Sequence, residues 1–185
     1  MARGRPSKKQ HIIAVASQLF AKYGYQGTSI DLVVREAQVS KPTVYNNFPS
    51  KQALLQELIS EQTVLAQALY QQLLTTDTLH FSEKIHHLYQ QLIDNPVALA
   101  IYKIHYGESH KLEESSVLLC RQFELQLTQC CEQILIEAKH NAAQRLAIIS
   151  IYKNCLLNCT LSAQIPPSAA ELKLHLQVLG LTVVN

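Results

Sequence analysis

Within thirteen residues, Val39 to Lys51, the chain reads VSKPTVYNNFPSK. Two cations (Lys41, Lys51), hydroxyls (Ser40, Thr43, Tyr45, Ser50) and two amides (Asn46, Asn47) are crowded together there. No Gly-rich phosphate loop, metal-ligand spacing or nucleophile–base pair accompanies them. Hydroxyls, amides and lysines are the groups that hydrogen-bond and neutralise phosphate oxygens, and contacts of that kind position a protein on a nucleic acid. Lys41, Thr43 and the Pro42 ring are suited to base edges and thymine methyls. The chemistry on offer is therefore the docking of a polyanion.

Docking needs rigid supports, and capping patterns supply them. Ser7 opens S-K-K-Q, a capping box, and Ile12, Ala16, Leu19, Phe20 and Tyr23 follow on one helical face up to Gly24. T-S-I-D from Thr28 starts a short helix over about 29–36. Ser40, with Pro42 in the first turn, starts another over about 40–46. Ser50 caps a fourth helix, which runs to about residue 74. Two short helices joined by Ala37-Gln38-Val39 form a helix-turn-helix, whose second helix enters a DNA major groove. Its outer face would carry Lys41, Pro42, Thr43, Tyr45 and Asn46. The helix starts at Thr28-Ser29 and Ser50-Lys51 would offer N–H groups to phosphate. The tail Ala2-Arg3-Gly4-Arg5-Pro6 suits a minor-groove arm, with Arg3 and Arg5 as its cations.

Charge agrees with this reading. The first 55 of 185 residues hold eight Lys and Arg against Asp31 and Glu36, a net +6, whereas the remainder is net −4. A basic head on a mildly acidic body points to a polyanion partner for the head alone. Only 5 Gly and 6 Pro interrupt a chain that is 48% apolar, so the expected fold is all-α. Further helices are expected at about 82–94, 96–107, 111–138, 141–164 and 168–180. The division expected is a DNA-binding domain over 1–50 and a helical body for effector binding and dimerisation over 51–185. No apolar run reaches the roughly 18–20 residues of a membrane span. The start MARGRPSKKQ does not resemble a signal peptide. Five cysteines in helix-like sequence read as reduced thiols of a cytoplasmic protein.

The run GYQGTSIDLVVREAQVSKPTVYNNFPSKQALL resembles the DNA-binding region of TetR-family transcriptional regulators. The resemblance covers about residues 7–55. It implies an all-α homodimer in which the body binds a small effector that releases the head from DNA. By position it carries phosphate contacts to Thr28, Thr43, Tyr45, Asn47 and Lys51. Gln38 stands where the family often has Gly, and Asn47 where it often has His.

In the body, Leu172, Leu176 and Leu179 fall on one helical face, with Leu174 and Val178 roughly opposite. Ile148, Tyr152, Cys155 and Cys159 form a stripe on the preceding helix. Terminal helices apolar on both sides lead us to expect a homodimer interface through Ile148, Tyr152, Cys155, Leu172, Leu174, Leu176, Val178 and Leu179. A dimer in turn implies a pseudo-palindromic double-stranded operator. Tyr102, His105, Tyr106, Phe123 and His86 are the expected effector pocket, aromatic with sparse polar groups. No cofactor, metal site or enzymatic activity is expected. Cys155-x-x-x-Cys159 is half of a tetrahedral site, and a thiol- or metal-responsive regulator is the alternative. A helical enzyme using Cys and His is more remote, since no catalytic motif accompanies them.

Overall fold

The computed structural model describes residues 7–76 and 79–182. Arg3 and Arg5 lie outside them. The described residues are helical, without a strand: α1 (Lys8–Gly27), α2 (Ile30–Ala37), α3 (Lys41–Asn47), α4 (Lys51–Leu74), α5 (Phe81–Asp94), α6 (Pro96–Glu108), α7 (Glu114–Glu137), α8 (Ala142–Tyr152), α9 (Cys159–Leu161) and α10 (Ala169–Val178). Packing groups them into two compact units, and the division falls inside α4 and α7. Of the described residues, one unit holds those up to Val64 together with Pro96–Phe123; the other holds those from Leu65 to Asn95 and from Glu124 onward.

In the first unit the caps read from sequence mostly form. Ser7 Oγ accepts the Gln10 N–H at 3.2 Å, and Gln10 Oε1 accepts the Ser7 N–H at 3.1 Å. Ser40 Oγ accepts from Thr43 N at 3.3 Å, and Ser50 Oγ from Ala53 N at 3.0 Å. The cap of α2 is a correction. It is Ser29, which accepts from Leu32 N at 3.1 Å, not Thr28. Thr28 is fully buried and donates its hydroxyl to the Gly24 carbonyl at 2.8 Å. That bond secures a bend in α1, where Gly24 takes φ 70°, ψ −173° before one more helical turn. The unit's core combines Ile12, Ala16 and Phe20 of α1 with Val33, Val44, Phe48, Leu54 and Leu58. Helix α6 packs on α1, burying Ile101, Tyr102 and Ile104.

In the second unit, His80, Asn141 and Ser168 cap α5, α8 and α10, each with a reciprocal Glu or Gln. Between α8 and α9 the chain departs from the expected continuous helix over 141–164. Residues Lys153–Asn158 form a π-turn. Its i→i+5 bonds widen the helix and displace everything beyond by part of a turn. The expected stripe Ile148–Tyr152–Cys155–Cys159 is therefore corrected. Burial passes from Ile148 and Tyr152 to Leu156 and Leu157, leaving Cys155 and Cys159 half-buried. Tyr152 stacks on Tyr89 (6.0 Å between centroids) and donates its hydroxyl to the Ser82 carbonyl at 2.9 Å.

Candidate nucleic-acid interface

Helices of eight and seven residues are too short to be stable alone, so α2 and α3 depend on the head's core. Val33 and Ala37 anchor α2, and Val44 anchors α3. The connection is set by Gln38, which occupies the left-handed region at φ 52°, ψ 42°. The N–H of Val39 reaches back to the Val34 carbonyl at 3.3 Å, closing a Schellman-type end without glycine. His11, on α1, also braces this end. Its Nε2 lies 2.9 Å from the Ala37 carbonyl, which can only accept, so the ring donates.

Anchoring Val44 turns the opposite side of α3 to solvent. Lys41, Pro42, Tyr45 (44% exposed) and Asn46 are exposed, and so is Ser29 at the start of α2. Lys41 pairs with Asp31 across the two helices at 2.8 Å, and that hydrogen bond raises its pKa. Both partners are solvent-exposed, so the pair is open to competition from phosphate. Thr43 is half-buried, its hydroxyl 2.7 Å from Ser40 Oγ. Asn47 is half-buried as well and donates from Nδ2 to the Thr43 carbonyl at 2.8 Å.

Two residues carried over from the family pattern are placed differently. Thr28 has no exposed surface, so its side chain cannot meet a phosphate. Lys51 is turned inward: its Nζ donates to the Tyr25 carbonyl at 2.9 Å and sits 4.0 Å from the centre of the Tyr25 ring. Burial pushes the Lys51 pKa down, and the charge of Glu108 pulls the other way. Glu108 gave no signal in the sequence. Its partners are more than eighty positions away, and only the single glycine at position 24 hinted at a special backbone there.

Of the expected effector residues, four gather in the first unit. The Tyr102 and Phe123 rings are buried 5.7 Å apart, Tyr106 is 6.3 Å from Tyr102, and His105 is 5.2 Å from Tyr106. His86 belongs to the second unit, where with Leu79, Tyr152, Ala169 and Lys173 it lines a cavity of about 420 Å³ between α5 and α10. Burial lowers the His86 pKa, favouring the neutral ring. A larger groove of about 590 Å³ runs between α4 and α7, lined by Gln67, Gln71, Gln126, Gln129, Tyr70 and Cys130 among others. The sequence reading missed it because glutamines on helices read as plain solvent faces.

The expected dimer surface divides. Leu172, Leu176, Ile148 and Tyr152 are buried inside their own unit, so they are core and not interface. Leu174, Val178 and Leu179 are 58%, 77% and 59% exposed. Leu179 lies one residue beyond the end of α10 and so leaves the face of Leu172 and Leu176. The cysteines are all free thiols. Burial raises the pKa of Cys120 to about 11 and of Cys130 to about 12, which keeps both protonated near neutrality. Among the described residues no three His, Cys, Asp or Glu side chains converge as metal ligands, and no helix is long and apolar enough to cross a membrane.

Comparison with known proteins places this geometry. Residues 12–58 match the family described as bacterial regulatory proteins, tetR family. Over 52 residues the chain is 38% identical to the A-factor receptor protein of Streptomyces griseus, covering 28% of this chain and 19% of that protein. Over 61 residues it is 34% identical to the HTH-type transcriptional repressor DhaR of Mycobacterium sp. (strain GP1), covering 31% of each. The match thus spans under a third of these curated relatives. Likeness of fold extends much further. A TetR transcriptional regulator from Legionella pneumophila superposes with a TM-score of 0.76 over 98% of this chain and 100% of that one, at 19% identity. A TerR/AcrR-family regulator from Aquifex aeolicus VF5 gives 0.69 over 96% and 100%, at 21% identity. Residues 12–58 thus match the tetR family of bacterial regulatory proteins in sequence, and the chain as a whole shares the fold of solved TetR-type regulators.

Proposed function

We propose that this chain is a one-component transcriptional regulator that represses by binding an operator as a homodimer and is released by a small-molecule effector. The observation that carries the reading is the exposed face of α3. Lys41, Pro42, Tyr45 and Asn46 stand outward from a helix whose only buried residue is Val44. A short helix so poor in its own contacts, presenting a cation, a hydroxyl and an amide, suits a major groove. One such head reads only a few base pairs, so a pair held at fixed spacing is needed to select a site. The exposed Leu174, Val178 and Leu179 support pairing through the body. The working place of such a dimer is the cytoplasm, where the DNA is.

The effector acts by population shift, and it can lower operator affinity only by its own preference for the released state. The family match covers the head, residues 12–58, and likeness to the A-factor receptor and to the repressor DhaR spans only 52 and 61 residues. It therefore bears on DNA and on repression, and not on which molecule the body takes. The Tyr102–Phe123 cluster remains our choice of effector site in the first unit.

Selection from random double-stranded DNA with the full chain tests the reading. The expected product is a short motif of two inverted half-sites about one helical turn apart, with affinity that falls steeply with salt. Recovery of no motif, or binding indifferent to salt, would overturn it.

A further inference from the structure

The end of α6 supplies a carboxylate to the head. Glu108 Oε1 accepts the Tyr25 N–H at 2.9 Å, and its Oε2 accepts the Gln26 N–H at 2.8 Å. Gly24 presents these two consecutive donors from a backbone conformation open essentially to glycine alone. A Cβ at Gly24 would also lie 2.5 Å from Glu108 Oε1. Gly24 is thus required by its own dihedrals, and a side chain there would push the carboxylate out of its place. Consecutive N–H groups beside such a bend make an anion nest, and here the anion belongs to the chain itself.

Contacts continue from the nest toward α3. The Tyr25 carbonyl and ring both hold the Lys51 ammonium. Lys51 is the first residue of α4, four positions after the end of α3. Displacing Glu108 removes the acceptor of the Tyr25 N–H, and so one support of the residue that clamps the start of α4.

We propose that Glu108 is a positioning residue for operator recognition: its carboxylate fills the Gly24–Gln26 nest and, through Tyr25, fixes Lys51 and the start of α4, four residues beyond the recognition helix. The proposal rests on the DNA-binding reading above. Its test separates the two.

Operator affinity of the full chain is measured by fluorescence anisotropy for the parent, Glu108→Ala and Glu108→Gln, in sodium chloride and in sodium formate of equal ionic strength. Amide exchange at Tyr25 and Gln26 is followed on the same samples. Loss of a charge-assisted pair of bonds should weaken operator binding by Glu108→Ala roughly tenfold or more. Formate, a carboxylate small enough for the vacated nest, should recover much of that loss and slow both amides again, with no such effect on the parent. Glu108→Gln keeps the side chain in the nest and loses the charge, so it should bind weakly and gain nothing from formate. Glu108→Ala binding within twofold of the parent, or a folded Glu108→Ala that formate does not rescue, overturns the proposal. Should Glu108→Ala fail to fold, Glu108→Gln binding as well as the parent does the same. A parent that binds no selected DNA removes the regulator reading, and amide exchange then decides the latch alone.

Discussion

Helices α3 and α10 are both short, both serine-capped and both half-anchored, yet their outer faces are opposites. The outer face of α3 carries Lys41, Pro42, Tyr45 and Asn46; that of α10 carries Leu174 and Val178, with Leu179 just beyond. Each is pinned by few residues, Val44 in one and Leu172 and Leu176 in the other. What separates them is what the free side asks for. A face of hydroxyls, amides and a lysine already satisfies water and exchanges it readily for phosphate. A leucine–valine face is satisfied only when water leaves, each such side chain gaining about 1.5–3 kcal/mol on full burial. Identical local devices can therefore serve two kinds of recognition, and the residues left out of the core tell them apart.

The largest expected effect attacks the apolar face. Leu174→Glu with Val178→Glu should leave the monomer's helicity unchanged, because both positions face solvent. In a dimer the same charges would be buried unpaired at several kcal/mol, so sedimentation should show monomers, with operator binding lost where the parent binds. A double variant that stays dimeric would assign that face some other role.

A middling effect should appear on the polar face. Lys41→Gln should reduce the log–log salt slope of operator binding by about 0.9 if the ammonium leaves Asp31 for a phosphate. Tyr45→Phe removes a neutral donor, so it should weaken binding by about 0.5–1.5 kcal/mol with the slope unchanged. Salt titrations of the two variants side by side check this. A slope that moves with Tyr45 and not with Lys41 would reverse the assignment.

The smallest effect concerns the turn that aims α3. Gln38 holds a left-handed conformation that costs a side-chain-bearing residue about 1–2 kcal/mol. Glycine would relieve this but lose more entropy on folding. Gln38→Gly should therefore stabilise the head by up to ~1 kcal/mol in chemical denaturation and leave operator preference as it was. A destabilised variant would mean that the Gln38 side chain contributes a contact of its own.

What the sequence made legible follows distance along the chain. Caps work within three residues, so Ser7, Ser40 and Ser50 could be read directly. Even so, T-S-I-D offered two hydroxyls, and only packing against Gly24 decided that Thr28 goes inside and Ser29 caps. The outward face of α3 was legible because its register is fixed by one buried valine. Lys51 was not, because its partner is Tyr25, and Glu108 was not, because its partners are peptide N–H groups that carry no sequence signature. The apolar stripe of α8 is buried as far as Tyr152, in the unit's own core, and it breaks beyond that, where 3.6-residue spacing no longer applies. Leu172 and Leu174 illustrate a further limit. Periodicity separates two faces of a helix but does not say which is covered by the chain's own core.

The π-turn at Lys153–Asn158 also bears on how a gene for this body can change. In an ordinary helix, gaining or losing one codon rotates every later side chain by about 100° and exchanges core for surface. A π-turn is a place where one surplus residue is already absorbed as a bulge, with regular helix on either side. Loss of a single codon between positions 153 and 158 would tighten the bulge and leave Tyr152 before it and Cys159 after it to continue their helices. This stretch is thus a point of length tolerance within an otherwise phase-locked body, and it packs on α5, the helix that α10 also touches.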